Sequence, residues 1–237
     1  MDHDAESFAA LARKMQPSSG EDGDTAATII GLAATTLPGV HGASITLRVR
    51  HGRYTSLGAS APAVEKADAA QHELREGPCV DAVEAGEWFH SPDLAHDARW
   101  PRWGPKAAEL GFGSLLGLPL VGGREPAASL NLYSRDTGQF EDHDALDHAI
   151  LFATHAAMAL QAAHLISGLE TAVTSRHVIG MAQGVLVERH GLLPHQAFAL
   201  LQRVSATTNT KLRRVAEQLL ATGQLPGEVT PQDVVDA

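Results

Sequence analysis

Hydrophobic positions follow two periods along the first part of the chain, and each period predicts a different element. Residues 5–15 repeat apolar side chains every three or four positions, as one face of a helix does. Residues 42–50, "GASITLRVR", alternate apolar and polar side chains, as a half-buried strand does. The next three residues, "HGR", predict a turn, and "YTSLGAS" predicts a strand that pairs back as a hairpin.

Further helices and strands are expected up to residue 135. The segment "TAATIIGLAATTL" predicts a helix capped by Asp24 or Thr25 and ended by Pro38, and residues 62–75 predict another. "EGPC" is expected to turn the chain. Two more strands are predicted in "GSLLGLPLVG", apolar throughout and central in the sheet, and in "AASLNLYSR". One sheet with helices between and around its strands indicates an α+β domain.

A long helix is predicted to begin near residue 141, after an acidic stretch that suits a helix N-terminus. Its apolar positions step by four and three residues, which is the spacing of a coiled-coil seam. These positions are Leu146, Ile150, Ala153, Ala157 and Leu160. A helix from Glu141 to Arg189 would be about 70 Å long, which suggests a homodimer or a rod joining two domains. A single amphipathic helix over residues 141–165, packed across the sheet, explains the pattern equally well.

Three helices are predicted from residue 176 onward. The first ends at Gly191, Pro194 opens the second, and the third carries "TKLRRVAEQLLAT" and ends at Gly223. Asn209 is expected to cap the third helix. Together they indicate a three-helix bundle.

Charge is distributed unevenly over the 237 residues, whose formal net charge is −10. Residues 1–169 hold 12 Lys/Arg and 22 Asp/Glu, whereas residues 170–225 hold 6 Lys/Arg and 3 Asp/Glu. Residues 226–237 hold 3 acidic and no basic residues. A sign reversal between segments suggests a module that binds a polyanion, although a helical surface often carries three net charges without such a role.

The amino-acid composition limits the cellular compartment and the disulfide chemistry that we expect. The single cysteine, Cys79, excludes an internal disulfide framework and suits a reducing cytosol. The start of the chain is acidic and has no long apolar run, so no secretory signal is expected. The most apolar segment, "AILFATHAAMAL", is short and contains a histidine, so we expect no membrane-spanning helix and a cytoplasmic protein.

No catalytic or metal-binding pattern is recognisable. The 13 histidines are scattered, and no second thiol accompanies Cys79. His90 and His96 are the least unfavourable metal candidates. No nucleophile motif and no phosphate-binding Gly loop is found. We therefore expect no catalytic residue, no metal and no cofactor, and no enzyme.

Residues 176–220 resemble the ANTAR domain, a three-helix RNA-binding module of transcription antiterminators. The positions that carry the resemblance are Arg176, Ile179, Ala182, Gly184, Leu186, Gly191, Ala197, Leu200, Ser205, Asn209, Lys211, Leu212, Val215 and Ala216. Met181 and Gln183 depart from the Gln and Lys that many members have, which removes one phosphate contact. The resemblance implies binding to paired hairpins with six-nucleotide loops in leader transcripts, which blocks a terminator.

Residues 24–165 resemble a GAF domain of the type fused to ANTAR in actinobacteria. The resemblance lies in "HELREGPCVDAV", "SPDLAHDARWPRW", "GFGSLLGLPL" and "SLNLYSRDTGQF". It implies a six-stranded antiparallel sheet flanked by helices, often with a ligand pocket on one face. A GAF-fold reductase would need several cysteines, and this chain has one.

The candidate RNA-binding residues centre on the start of the third helix, and Arg176, Gln183 and Arg203 are expected to extend that surface. The full set is Arg176, Gln183, Arg203, Ser205, Asn209, Lys211, Arg213 and Arg214. The cations of the third helix are expected beside its N-terminal amides, which favour phosphate. A solvated helix face is the alternative for these cations, and a capping or helix-ending role is the alternative for Asn209 and Ser205.

The candidate ligand-pocket residues of the sensor are Cys79, Trp88, His90, Trp100, Trp103 and Phe112. The tryptophans either wall a ligand pocket or anchor a long connection to the sheet. The alternative for Cys79 is a buried structural thiol.

The sequence thus predicts an N-terminal amphipathic helix (1–16), a GAF-like sensor (24–165), an ANTAR domain (166–225) whose first helix continues the last GAF helix, and an acidic tail (226–237). The expected function is a cytoplasmic, homodimeric antiterminator that binds dual-hairpin leader RNA under control of an unknown signal, with an unknown small molecule as a further ligand and no membrane. The alternative is a small-molecule-sensing GAF protein whose helical end recruits a protein partner.

Overall fold

The computed structural model describes residues 10–16, 22–120 and 128–227. The chain divides into two units, residues 1–167 and residues 168–237. Residues 10–15 are helical, as the hydrophobic period predicts, and the other residues of that predicted helix lie outside the described part.

Five antiparallel strands form the sheet of the first unit, in the order β2-β1-β5-β4-β3. Their bounds are β1 Gly42–Val49, β2 Arg53–Ala59, β3 Phe89–Ser91, β4 Ser114–Leu120 and β5 Ala128–Ser134. The four strands predicted from the sequence are all present, and β3 is added at an edge. The apolar strand β4 lies second from that edge, whereas β5 is central. The described residues therefore form five strands where the resemblance implies six.

The helices of the first unit follow the predicted order with three differences, one of which is a short helix at Gly104–Glu109 that was not predicted. Their bounds are α1 Asp22–Thr36, α2 Pro62–Leu74, α3 Pro78–Ala85 and α4 Gly104–Glu109. Helix α1 begins before Asp24 and Thr25, so neither residue is its cap. Helix α3 begins inside "EGPC", where only a turn was predicted, because Gly77 takes a φ of 139° and Pro78 suits the first turn of a helix.

The two faces of the sheet carry separate hydrophobic cores. One core joins the sheet to α1 and to the long helix α5, His143–His190, and includes Ile29, Ile45 and Phe152. The other core joins the opposite face to α2 and α4, and includes Trp103 and Tyr133. Because side chains alternate along each strand, Ile45 and Leu130 lie on the first face, and Ser44, Asn131 and Tyr133 lie on the second.

The long helix is continuous over 48 residues. By length and composition it is the one described helix that could cross a membrane. The sequence analysis predicts no membrane-spanning helix. Ala149, Phe152 and Ala156 of this helix are buried in the core of the first unit. Packing against the sheet therefore accounts for part of its apolar character.

The predicted coiled-coil seam lies on the side of α5 that faces this core. Ala153 is buried, and the other four seam residues are partly buried against the same core; they are Leu146, Ile150, Ala157 and Leu160. The spacing of a seam and the spacing of a core-facing helix are the same. The structure thus places these five side chains in intramolecular contacts, and their role in a dimer stays a prediction.

Three helices form the second unit, as predicted: the end of α5, α6 Pro194–Thr207 and α7 Leu212–Thr222. Their core contains Ala182 and Leu186 from α5, Leu200 and Val204 from α6, and Leu219 from α7. The α+β architecture with a long linking helix and a C-terminal three-helix bundle is confirmed.

Replacing glycine by alanine should change the stability of the first unit in opposite directions at two positions. An ideal Cβ on Gly117 of β4 would lie 2.8 Å from the Pro78 carbonyl oxygen of α3, so Gly117→Ala should destabilise the fold by about 1–3 kcal/mol. A Cβ on Gly31 of α1 would meet nothing within 4 Å, so Gly31→Ala should stabilise it by about 0.5–1 kcal/mol. Urea unfolding of both variants measures this, and equal effects would contradict the tight packing of α3 on β4.

Candidate nucleic-acid interface and sensor core

Positive charge collects at the start of α7. Lys211 stands at the N-cap position, and Arg213 and Arg214 follow in the first turn. The Nε of Arg213 forms an exposed ion pair with Oε1 of Glu217 at 2.7 Å. Lys211 and Arg214 are exposed, and within the described part of the chain the structure records no ion pair for either. Two unpaired cations and one that is paired in solvent are therefore accessible to an anion.

The loop between α6 and α7 holds these cations in place. The hydroxyl of Ser205 donates a hydrogen bond to the Thr210 carbonyl at 2.6 Å, and the Thr210 amide donates back to the Ser205 carbonyl at 3.1 Å. Asn209 has a φ of 49°, a left-handed conformation that asparagine tolerates. Asn209 is therefore not the cap of α7, because Lys211 occupies that position. Both residues shape the loop, and their contact with RNA stays a prediction.

Gln183 lies away from this loop. Its Nε2 donates to the carbonyl of Pro194, the first residue of α6, at 3.2 Å. Ser205 stands near the other end of α6, so about 16 Å of helix separates the two positions. The structure does not bring Gln183 to the other candidate residues.

Arg176 and Arg203 belong to the same end of the bundle as Lys211. The Nη1 of Arg189 donates to the Gly223 carbonyl at 2.7 Å, so the C-terminal ends of α5 and α7 are adjacent. Arg176 precedes Arg189 by about the same helical length as Lys211 precedes Gly223. Arg203 is exposed and stands two residues before Ser205.

We name these five residues the cationic end: Arg176, Arg203, Lys211, Arg213 and Arg214. They are five of the 6 Lys/Arg in residues 170–225. The sixth, Arg189, binds the last turn of α7 at the opposite end. The arrangement can hold a polyanion at one end of the bundle.

The tryptophans of the candidate pocket anchor the connection between β3 and α4. The rings of Trp100 and Trp103 meet edge to face at 6.5 Å, in the same core as Phe112. The Nε1 of Trp100 donates to Oδ2 of Asp81 at 2.8 Å, and the Nε1 of Trp103 donates to the Ala67 carbonyl at 3.0 Å. These contacts are what the anchoring interpretation expects.

The other three pocket candidates lie in different surroundings. Cys79 is buried, and its amide donates to Oε1 of Gln71 at 3.0 Å. The ring of His90 meets that of Phe140 edge to face at 6.0 Å. Trp88 is 48% exposed and lines a groove of about 290 Å³ beside α5. The six predicted residues are therefore not assembled around one cavity.

A buried polar cluster that was not predicted lies between α2 and the sheet. The Tyr133 hydroxyl donates to Oδ1 of Asp68 at 2.7 Å and accepts from Nε2 of Gln71 at 3.0 Å. The Nδ2 of Asn131 donates to the hydroxyls of Ser44 and Thr46 at 3.1 Å. All these residues are buried.

The sequence does carry a signal for this cluster. Val64, Ala67, Asp68 and Gln71 are spaced i, i+3, i+4 and i+7, and all four are buried on one face of α2. Two polar residues on an apolar helical face indicate a hydrogen-bonded core site.

Two sequence-family models match the chain. The GAF domain model matches residues 22–161, and the ANTAR domain model matches residues 167–220. The chain belongs to the GAF domain family and carries an ANTAR domain. Both resemblances seen in the sequence are thus confirmed, and the actinobacterial type stays a prediction. GAF and ANTAR are regulatory domains, of which ANTAR is known for RNA-binding antitermination and GAF for signal sensing.

Solved structures support the GAF fold. The bacteriophytochrome RpBphP3 from R. palustris is similar with a TM-score of 0.60 at 9% identity, over 85% of this chain and 47% of that one. Free methionine-R-sulfoxide reductase from Neisseria meningitidis gives 0.51 at 15% identity, over 68% and 87%. The GAF domain of an Acinetobacter phosphoenolpyruvate-protein phosphotransferase gives 0.50 at 15% identity, over 70% and 97%. No curated protein sequence matches the chain. These likenesses show the fold alone.

The polar cluster places an ionisable carboxyl inside the GAF domain. Burial raises the pKa of the Asp68 carboxyl to about 6, and hydrogen bonds from its neighbours oppose part of that rise. Burial also raises the pKa of the Cys79 thiol well above its ordinary value, which makes the thiol a poor nucleophile. Within residues 10–16, 22–120 and 128–227, no group of three or more His, Cys, Asp or Glu could hold a metal.

The Asp68 carboxyl predicts a pH-dependent stability. Because its pKa is higher in the fold than in the unfolded chain, the fold loses stability as pH rises from about 4 through about 6. The loss is about 3 kcal/mol for a rise of roughly two pKa units. Asp68→Asn keeps the shape and removes the charge, so it should raise the free energy of unfolding at pH 7.5 by about 1–3 kcal/mol and leave it unchanged near pH 4.

Urea unfolding at both pH values measures the difference. The control is Asp147→Asn, which neutralises an exposed aspartate of α5. A gain at pH 7.5 that persists at pH 4, or that the control reproduces, would contradict a buried ionised Asp68.

Proposed function

We propose that this protein is a signal-responsive, cytoplasmic antiterminator that binds paired hairpin loops of leader transcripts through its ANTAR domain, under control of its GAF domain. The observation that carries the proposal is the cationic end, which gathers five of the 6 basic residues of residues 170–225 in a chain of net charge −10. The proposed sensor is residues 24–165, the RNA-binding domain residues 166–225, the N-terminal amphipathic helix residues 1–16, and the acidic tail residues 226–237.

The chemistry of the cationic end suits unpaired RNA. Lys211 and Arg214 can contact phosphates, and the first-turn amides of α7 have no side-chain cap and favour the same groups. Phe198 is the only Phe, Tyr or Trp in residues 170–225, so bases would stack on arginine planes. Hairpin loops offer splayed bases to such a surface, whereas the deep groove of duplex RNA excludes side chains.

Removing the charges of Lys211 and Arg214 should weaken RNA binding. We expect Lys211→Ala/Arg214→Ala to lower affinity for a dual-hairpin RNA by at least about tenfold and to reduce the salt slope by about 1.4, since each phosphate contact releases about 0.7 counterion from a single strand. Arg213→Ala should cost less, because Arg213 is already paired with Glu217. Fluorescence anisotropy over a series of salt concentrations measures both quantities.

The matched control is Lys66→Ala/Lys106→Ala, which removes two exposed lysines of the GAF domain and changes the net charge equally. Equal losses in the two double variants would show a general charge effect and contradict the assigned surface.

A dimer would place two ANTAR domains on paired hairpins and raise the apparent affinity through effective concentration. Because the five residues of the predicted seam pack on the core of the first unit, we propose instead that α5 pairs with the same helix of a second copy through Leu151, Met158 and Leu165. These side chains are 41%, 65% and 63% exposed and repeat every seven residues. Met158 also borders the groove that Trp88 lines. The GAF signal would act by shifting the geometry or population of this dimer.

Charges on this stripe should separate the two copies. Met158→Glu/Leu165→Glu is expected to halve the molar mass measured by size-exclusion chromatography with light scattering, because two like charges would face each other in an apolar contact. Ala69→Glu, on an exposed position of α2, is the control. An unchanged mass in the double variant would contradict this face.

The alternative, recruitment of a protein partner by the helical end, has one observation in its favour. An open groove on the bundle is lined by Met181, Gly184, Val185 and Leu220, together with the charged residues Glu188 and Arg189. Partner binding that is insensitive to salt, with no shift of hairpin RNA in a gel, would favour it.

A further inference from the structure

The chain that follows α7 returns to the cationic end. Leu225 packs against the bundle core. An ideal Cβ on Gly227 would lie 3.4 Å from Cγ2 of Thr208. Thr208 belongs to the loop before α7, because its carbonyl accepts a hydrogen bond from the Thr210 hydroxyl at 3.2 Å. The described chain therefore ends beside the loop that carries Lys211.

The ten residues that follow are acidic. Residues 228–237, "EVTPQDVVDA", contain Glu228, Asp233 and Asp236 and no basic residue. Glu228 comes directly after Gly227. Ten extended residues span up to about 33 Å, whereas Lys211 lies three residues, at most about 11 Å, from Thr208. All three carboxylates can therefore reach the start of α7.

We propose that residues 228–237 dock on the cationic end and compete there with RNA, as an internal mimic of its phosphates. The inference rests on the proposed function, since it names a regulator of the same surface. The fit comes from complementary charge: residues 170–225 have an excess of three basic residues, and the tail holds 3 acidic ones. Lys211 and Arg214 are exposed and can contact the tail carboxylates. The ion pair between Arg213 and Glu217 shows that a carboxylate can bind at this end of the bundle.

The contact is strong enough to regulate and weak enough to release. Exposed ion pairs are individually weak, but a tether that begins next to the site supplies an effective concentration in the millimolar range. We expect the tail to weaken RNA binding about threefold to tenfold at low salt. Screening should remove that difference at high salt, where the Debye length falls to a few ångströms.

The test uses the full chain with the tail neutralised, Glu228→Gln/Asp233→Asn/Asp236→Asn. Anisotropy with a dual-hairpin RNA at about 50 mM and about 500 mM KCl should show tighter binding than wild type at the lower salt only. The control Glu65→Gln/Glu73→Gln/Glu109→Gln changes the net charge equally at exposed positions of α2 and α4. It should bind like wild type.

A second readout needs no RNA. The acylation rate of Lys211 by an amine-reactive ester, followed by mass spectrometry, should rise in the neutral-tail variant at low salt, because the tail no longer covers that amine. Lys66, in the GAF domain, is the internal reference.

The outcomes separate the two proposals. Equal RNA affinity and an equal Lys211 rate in wild type and the neutral-tail variant would overturn the tail contact, as would an equal gain in the control. A faster Lys211 rate with no RNA binding by any variant would support the tail contact and contradict the proposed function. If the neutral-tail variant bound another macromolecule while the acylation rate of Lys211 stayed at the wild-type value, the tail contact would also be overturned.

Discussion

One helix supplies side chains to two hydrophobic cores, and the rest of the molecule depends on that constraint. Ala149 and Phe152 of α5 are buried against the sheet of the GAF domain, and Ala182 and Leu186 of the same helix are buried in the ANTAR bundle. Neither core would be complete without its part of the helix. A substitution in α5 therefore acts first on the stability of one core, and only then on any signal that passes along it.

The second constraint is the separation of charge. An acidic chain confines nearly all the basic residues of its ANTAR domain to one end, and the short bonds around Ser205 and Thr210 fix the loop that presents them. Lys211 and Arg214 are accessible to phosphate because the structure records no ion pair for either of them within the described chain. Glu217 pairs with Arg213, and the next carboxylate along the chain is Glu228 of the acidic tail.

Periodicity predicts the elements well and their surroundings less well. The alternation of residues 42–50 gives its strand directly, because a strand has a period of two. The short apolar run of β4 gives its strand because a strand buried on both faces has no polar side. The seam of α5 could not be assigned to a dimer, because a helix packed on a sheet repeats at nearly the same spacing. Helix α3 was missed because a Gly-Pro pair is typical of turns, whereas here Gly77 ends the turn and Pro78 starts the helix.

Of the two candidate sites, one could be found from local sequence and the other depends on long-range contacts. The basic residues of α7 could be found from the sequence, because charge and a family motif coincide there. The Asp68 cluster depends on contacts between α2 and two strands. Its partners Asn131 and Tyr133 lie 63 and 65 residues after Asp68 in the sequence. Its trace in the sequence is a polar pair on an apolar helical face, which is visible only once the helix is placed against the sheet.

The most direct test of the account is a crosslinking map of the full-length protein on a dual-hairpin RNA, read by mass spectrometry. We expect crosslinks at Arg176 and within residues 203–214, since the RNA lies against the cationic end. Crosslinks confined to residues 181–193, or to the GAF domain, would contradict the account.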